Sequence, residues 1–194
     1  MNKLSSCITD ILWKQGILQD NDINKCNYGL DIFISSTLEV LSILIISLFI
    51  NNFIETLLFF IAFIPLRIYA GGYHAKTRLK CFIISIVVYT LFTVTIAAIP
   101  EKYYGLSSSL LTLISLTIIL PNEPVIHYNK TVTKTEKNIY KRISSKICIA
   151  ETLFLIFLSI AAPNNKFELS IALGQTSVAI SMLIAIVEKK LLRN

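Results

Sequence analysis

The sequence predicts an all-α polytopic membrane protein, with about six transmembrane helices and an N-terminal interfacial amphipathic helix. Three observations carry this expectation. Hydrophobic residues make up 54% of the 194-residue chain and charged residues only 15%, against about 25% charged in a soluble domain. Six apolar runs approach the ~20 helical residues that cross an apolar layer of about 30 Å. The runs lack the alternation of a membrane barrel, and backbone groups in lipid must be satisfied within their own segment, so helices rather than strands are expected.

The N-terminal segment, residues 1–29, comes first. Met1 to Asn27 mixes acids, amides and hydrophobes and lacks the basic start, compact apolar core and small-residue cleavage site of a removable signal. Leu4, Cys7, Ile8, Ile11, Leu12 and Leu18 recur near the helical period, with Ser5, Thr9 and Asp10 on another face and Trp13 as an interfacial anchor. Two placements fit this pattern: a helix lying on the inner leaflet, or a cytosolic helix packed on the transmembrane bundle.

The spans are expected from about Leu30 to Ile50, Phe53 to Tyr69, Cys81 to Ile99, Leu106 to Leu120, Ile147 to Ala162 and Leu169 to Val187. The first, third and sixth are the strongest, and the other three are short. Charge orients them. Arg67, Lys76, Arg78 and Lys80 lie between the second and third spans with no acid among them. Lys130, Lys134, Lys137, Lys141, Arg142 and Lys146 lie between the fourth and fifth, against Glu123 and Glu136, in a loop that opens with Pro121 and Pro124 and is expected to end in a Lys-rich helix entering the fifth span. Cationic loops stay cytoplasmic, so residues 66–80 and 121–146 and both termini are expected inside. The intervening connections, at Asn51 and Asn52, Glu101 and Lys102, and Lys166 and Glu168, hold almost no net charge. The formal net charge of +6 thus reports orientation and contact with anionic membrane lipid, and it is a poor sign of nucleic-acid binding. No internal repeat divides the chain, and 1–194 reads as a single integral-membrane domain.

Cysteine usage fits a reducing cytosolic face. Cys7, Cys26, Cys81 and Cys148 are scattered without a C-x-x-C pair, which argues against disulfides. His74 and Cys81 have no second ligand pair at metal-like spacing, so no metal and no cofactor is expected. Cys7, Cys26 and Cys148 read as small hydrophobes.

Cys81 stands apart through its neighbours. The fifteen residues from Arg67 to Cys81 hold one of the two histidines, one of the four cysteines, the Gly71-Gly72 pair and four cationic side chains. Nearby cations and a helix N-terminus both favour a thiolate, and a span beginning around Thr77 places Cys81 in its first turns. An imidazole alongside accepts the thiol proton. Seven residues of unbroken helix would separate His74 from Cys81 by about 10.5 Å, too far for a hydrogen bond. The helix should therefore break, and Gly71 and Gly72 permit both a positive φ and close approach of backbone N–H groups to a substrate carbonyl. Either His74 sits on a turn folded back over the third span, or His74 and Cys81 pair across a dimer. Arg67 is open to three roles: orienting an acidic substrate residue, favouring the thiolate, or snorkelling from the end of the second span.

The run Arg67, Ala70-Gly71-Gly72-Tyr73-His74-Ala75 and Cys81, set between the second and third apolar spans, resembles the accessory gene regulator B (AgrB) family of quorum-sensing peptidases. The span layout extends the resemblance over roughly residues 30 to 190. It implies an integral-membrane cysteine endopeptidase that cuts the C-terminal part from a small AgrD-like pro-peptide and helps turn the remainder into a cyclic autoinducer. By the same resemblance His74 and Cys81 are the catalytic pair, Arg67 matches an upstream arginine, and the protein is a homodimer. The family's Lys-Pro pair after the fourth span is absent here, where Pro121, Pro124 and Lys130 stand instead.

A second class of function competes, a small transporter or adaptor. It would draw on the intramembrane acids Asp31, Glu39, Glu55 and Glu151, and on the polar last span with Gly174, Gln175, Thr176, Ser177 and Ser181, which otherwise reads as close helix packing. It would tolerate loss of Cys81, whereas the peptidase would not. His127 reads as a loop residue.

Overall fold

The computed structural model describes residues 3–19, 22–73, 77–125 and 133–191. They form seven α-helices, and two compact units are distinguished, Met1–Ile46 and Ser47–Asn194.

The first unit begins with α1 (Lys3–Lys14). Gly16 ends it at φ +71°. The Gly16 N–H donates to Trp13 O and the Ile17 N–H to Leu12 O, which is the paired bonding of a left-handed helix cap. Ser5 and Thr9 are buried, while Leu4, Ile11 and Trp13 are exposed. Ser5 donates to Asp31 on α2 (Ile23–Phe49) at 3.4 Å. The polar edge of α1 thus turns toward α2 and its apolar stripe away from it, the disposition an interfacial helix requires. On α2, Phe33, Leu38, Leu41 and Ile45 are likewise exposed.

The second unit contains α3 (Phe53–Ala70), α4 (Arg78–Ala98), α5 (Tyr104–Ile119, entered through a short 3-10 turn), α6 (Lys134–Ala161) and α7 (Lys166–Leu191). The last helix is its axis, packing most extensively against α3 and α5 and also touching α4 and α6. Gly174 explains the closeness: a Cβ there would lie 2.6 Å from the Phe59 carbonyl oxygen, so a small residue lets the α3 and α7 backbones meet. One apolar cluster joins Ala62, Leu155, Ile171 and Ala172. Another, beside the end of α3, joins Leu66, Ala70, Ile119, Cys148, Val178, Ala179 and Met182.

The distribution of polarity is that of a protein in lipid. Leu79, Leu91, Phe157 and Ile160 face outward, whereas Ser108, Thr112, Ser115, Glu168, Gln175 and Thr176 are buried. Their hydrogen bonds cross between helices: Ser115 pairs with Thr176 at 3.0 Å, Ser108 donates to Glu168 at 2.7 Å, and Gln175 donates to the Cys148 carbonyl at 3.1 Å. Polar groups with no water to turn to find partners across the bundle in this way, although Thr112 Oγ1, Glu168 Oε2 and Gln175 Oε1 have none among the described residues.

Five helices, α2, α3, α4, α6 and α7, are long and apolar enough to cross a membrane. The expected fourth span forms as α5, whose 16 residues extend only about 24 Å. Two expected boundaries shift. The N-terminal segment 1–29 already includes the start of α2 at Ile23. The loop expected over 66–80 is shorter, since α3 keeps its hydrogen bonding through Ala70 and α4 resumes at Arg78. In the connection over 121–146 the expected helix into the fifth span starts at Lys134, where Thr133 and Glu136 form a reciprocal capping box well before the apolar part of α6.

Candidate active site

The break between α3 and α4 is built by the two glycines. Gly71 closes α3 at φ +73°, its N–H donating to Arg67 O at 3.1 Å, and Gly72 follows at φ +137°. Neither position has room for a side chain. A Cβ on Gly71 would overlap the Val125 carbonyl, and one on Gly72 would overlap the Arg67 guanidinium and approach Ser181 Oγ to 2.8 Å. The break expected at these residues is therefore present, and it is fixed by close backbone approach as well as by dihedral freedom.

Three other elements hold the broken segment. Arg67, half-buried on the last turn of α3, turns its guanidinium back over the loop; Nη1 donates to Gly71 O at 2.5 Å and Nη2 to Tyr73 O. Snorkelling would leave this group free for the membrane surface, whereas here it is committed to two carbonyls. From α7, Ser181 accepts the Tyr73 N–H through its carbonyl at 2.9 Å and through its hydroxyl at 3.1 Å. From the segment after α5, the Val125 N–H donates to Ala70 O at 3.0 Å, and Val125 forms a single parallel bridge with Gly71.

Cys81 lies in the first turn of α4. Thr77 caps that helix, accepting the Lys80 N–H on its hydroxyl at 3.4 Å and the Cys81 N–H on its carbonyl at 3.1 Å. The Cys81 side chain is half-buried, and it is in Coulombic reach of the Arg67 guanidinium. Arg67, Gly71, Gly72 and Cys81 thus share one neighbourhood. His74 follows Tyr73 directly in the chain but lies outside the described residues, as do Lys76, His127 and Lys130 and the Arg78 side chain.

Gly72 is buried, and the parallel bridge of Gly71 with Val125 turns its N–H toward the Val125 carbonyl.

Two contributors were not legible in the sequence. Ser181 reads there as a packing hydroxyl, and Val125 lies in the connection expected over 121–146 with nothing to single it out; both act on the backbone of a loop remote in the chain. Cys148, by contrast, is wholly buried, as a small hydrophobe should be, and it also accepts from Gln175.

The sequence profile of the family described as accessory gene regulator B matches residues 5–184. The chain belongs to the accessory gene regulator B family. Curated relatives agree. The accessory gene regulator protein B of Staphylococcus intermedius is 26% identical over 147 residues, 74% of each chain. That of Staphylococcus aureus is 25% identical over 167 residues, 86% of this chain and 84% of the relative. Protein FsrB of Enterococcus faecalis is 40% identical over 62 residues, 32% of this chain and 26% of the relative. No solved structure matches the chain. Family membership gives the protein a role in an agr-type quorum-sensing system, and its apolar helices make it a membrane protein.

Proposed function

We propose that this protein is a membrane cysteine endopeptidase that cleaves the C-terminal part from an AgrD-like pro-peptide, with Cys81 as nucleophile and His74 as its base. The observation that carries the reading is the thiol of Cys81 in the first turn of α4, within reach of a guanidinium that also clamps the Gly71–Tyr73 backbone. A cation and a helix start both stabilise negative charge on sulfur.

The chemistry runs in two steps. His74 takes the thiol proton, the sulfur attacks the peptide carbonyl, and the developing oxyanion is met by backbone N–H groups around Gly72 or at the start of α4. Collapse breaks the C–N bond; the proton passes from His74 to the leaving amine, and a thioester to Cys81 remains. A thiol or hydroxyl within the pro-peptide then attacks the thioester, closing a thiolactone or lactone and restoring the Cys81 thiol. Cyclisation outruns hydrolysis where water is scarce, and a site at the mouth of an apolar bundle supplies that condition.

The cationic connections set both termini and the loop of the site in the cytoplasm, and the protein works as a homodimer. The test is mass spectrometry of the cognate pro-peptide after incubation in proteoliposomes. Release of the C-terminal fragment by the wild-type protein alone, with an acyl mass on Cys81, supports the assignment. Equal cleavage by Cys81→Ala removes Cys81 as nucleophile.

A further inference from the structure

Beside the site loop lies an open cleft of about 320 Å³ whose walls include Glu123, Val125, Lys137, Ile186, Lys189 and Lys190. Its charge is unbalanced. Glu123 pairs with Lys137, which holds the Glu123 carboxyl below its ordinary range by hydrogen bond and charge. Neither Lys189 nor Lys190 has an ion-pair partner among the described residues, and both are exposed. Three ammonium groups thus face one carboxylate. The opposite wall is apolar: Ile186 and Val125 pack against the core cluster at the end of α3.

Depth along α7 identifies the occupant. Ile186 belongs to the apolar length of the helix and Lys189 and Lys190 to its last turn, so the cleft sits where hydrocarbon gives way to charge. That is the level of lipid phosphates, and basic clefts between transmembrane helices at that level take anionic headgroups. We infer that this cleft binds the headgroup of an anionic phospholipid, with the phosphate against Lys189 and Lys190 and the glycerol end against Ile186 and Val125. An acidic peptide would meet the same lysines but has no use for an apolar wall at membrane depth.

The bound headgroup also acts on the site. Val125 lines the cleft and donates its N–H to Ala70 O, next to the bridge with Gly71. A filled cleft fixes Val125, and Val125 fixes the start of the glycine break. Binding is independent of the proposed peptidase activity and is read without it.

The experiment uses the full chain in bilayers of phosphatidylcholine alone or mixed with phosphatidylglycerol, with lipid retention after extraction measured by native mass spectrometry. Phosphatidylglycerol should be retained over phosphatidylcholine. The double variant Lys189→Gln/Lys190→Gln should lower that retention by roughly thirtyfold, from what each lysine contributes near an anionic surface. Glu123→Gln, which removes the competing carboxylate, should raise it, so the two variants move in opposite directions and misfolding cannot produce both results. Equal retention of the two lipids, or retention unchanged by the lysine variant, overturns the site. Displacement of the lipid by soluble glycerol phosphate at equal concentration would reassign the cleft to free phosphate, and displacement by an acidic peptide would reassign it to a peptide; either result overturns the lipid assignment. Hydrogen exchange at the Val125 amide should slow when phosphatidylglycerol is present and only while both lysines are. Unchanged exchange with lipid bound overturns the coupling.

Discussion

Tyr73 and Ser181, separated by 108 positions in the chain, are joined by two hydrogen bonds: the Tyr73 N–H is shared between the Ser181 carbonyl at 2.9 Å and its hydroxyl at 3.1 Å. The residue directly before His74 is thereby anchored to α7, the helix around which the second unit packs. Ser181→Ala keeps the carbonyl and removes the hydroxyl. A neutral hydrogen bond contributes about 1 kcal/mol, so stability should fall only by about that much. Cleavage of the pro-peptide should fall by more, roughly tenfold, because small displacements near a reacting centre are costly. Parallel unfolding and cleavage assays separate the two, and a rate that drops no further than stability requires would reduce Ser181 to a packing residue.

The two glycines make a sharper case. Gly71→Ala must hold φ +73° against the Val125 backbone, and Gly72→Ala must hold φ +137° beside Arg67 and Ser181. The left-handed region alone costs about 1–2 kcal/mol for a side chain, and a clash with backbone adds to it. Gly16 is the matched control: its φ is +71°, but nothing lies within 4 Å of a Cβ there. Gly16→Ala should therefore lose about 1 kcal/mol and keep full activity. Both loop variants should lose activity, with Gly71→Ala the less stable of the two. Thermal unfolding in detergent together with the cleavage assay checks the order.

How much of this could be read from the chain depends on the range of the interaction. Hydropathy located α3, α4, α5 and α7 within a few residues, and α2 at its end but not at its start, because each apolar length is one local unit. The glycine break was equally local: two adjacent glycines interrupt an apolar run. The helix that leads into the fifth span was legible in the Lys-rich run, and Thr133 and Glu136 carry the capping signature that marks its start. What the sequence could not give is the pairing of Tyr73 with Ser181, of Arg67 with the carbonyls of its own loop, or of Val125 with Ala70. Each is a hydrogen bond to backbone, which leaves no preference of residue type to recognise.

Arg67 supplies both a charge and a fork, and the two are separable. Arg67→Lys retains the cation near Cys81 but cannot span Gly71 O and Tyr73 O together, since an ammonium lacks the planar fork. Arg67→Gln loses both. Iodoacetamide should therefore alkylate Cys81 in the lysine variant at close to the wild-type rate. In the glutamine variant alkylation at neutral pH should slow by roughly three- to tenfold, the value of a nearby charge at a partly solvated site. Pro-peptide cleavage should fail in both. A lysine variant that cleaves normally would show that the clamp on the loop is dispensable and that charge alone matters.

Glu168 tests the opposite end of α7. It is 1% exposed, accepts hydroxyls from Ser108 on α5 and Ser159 on α6, and has one carboxyl oxygen with no partner among the described residues. Three helices meet at this carboxyl, some 20 Å along the axis from Ser181 at 1.5 Å per residue. Glu168→Ala removes the acceptor of the half-buried Ser159 hydroxyl, leaves the buried Ser108 hydroxyl only the Gly105 carbonyl, and opens a cavity, which should cost about 2–4 kcal/mol. Glu168→Gln preserves the shape and one acceptor and should cost less. Because neither change reaches the loop held by Arg67 and Ser181, cleavage per folded molecule should stay at the wild-type level in both. Denaturant unfolding gives the first quantity, and activity normalised to the folded fraction gives the second. A cleavage rate that falls in step with the Glu168 substitution, with the fold intact, would mean that α7 transmits its packing at this end to the site at the other.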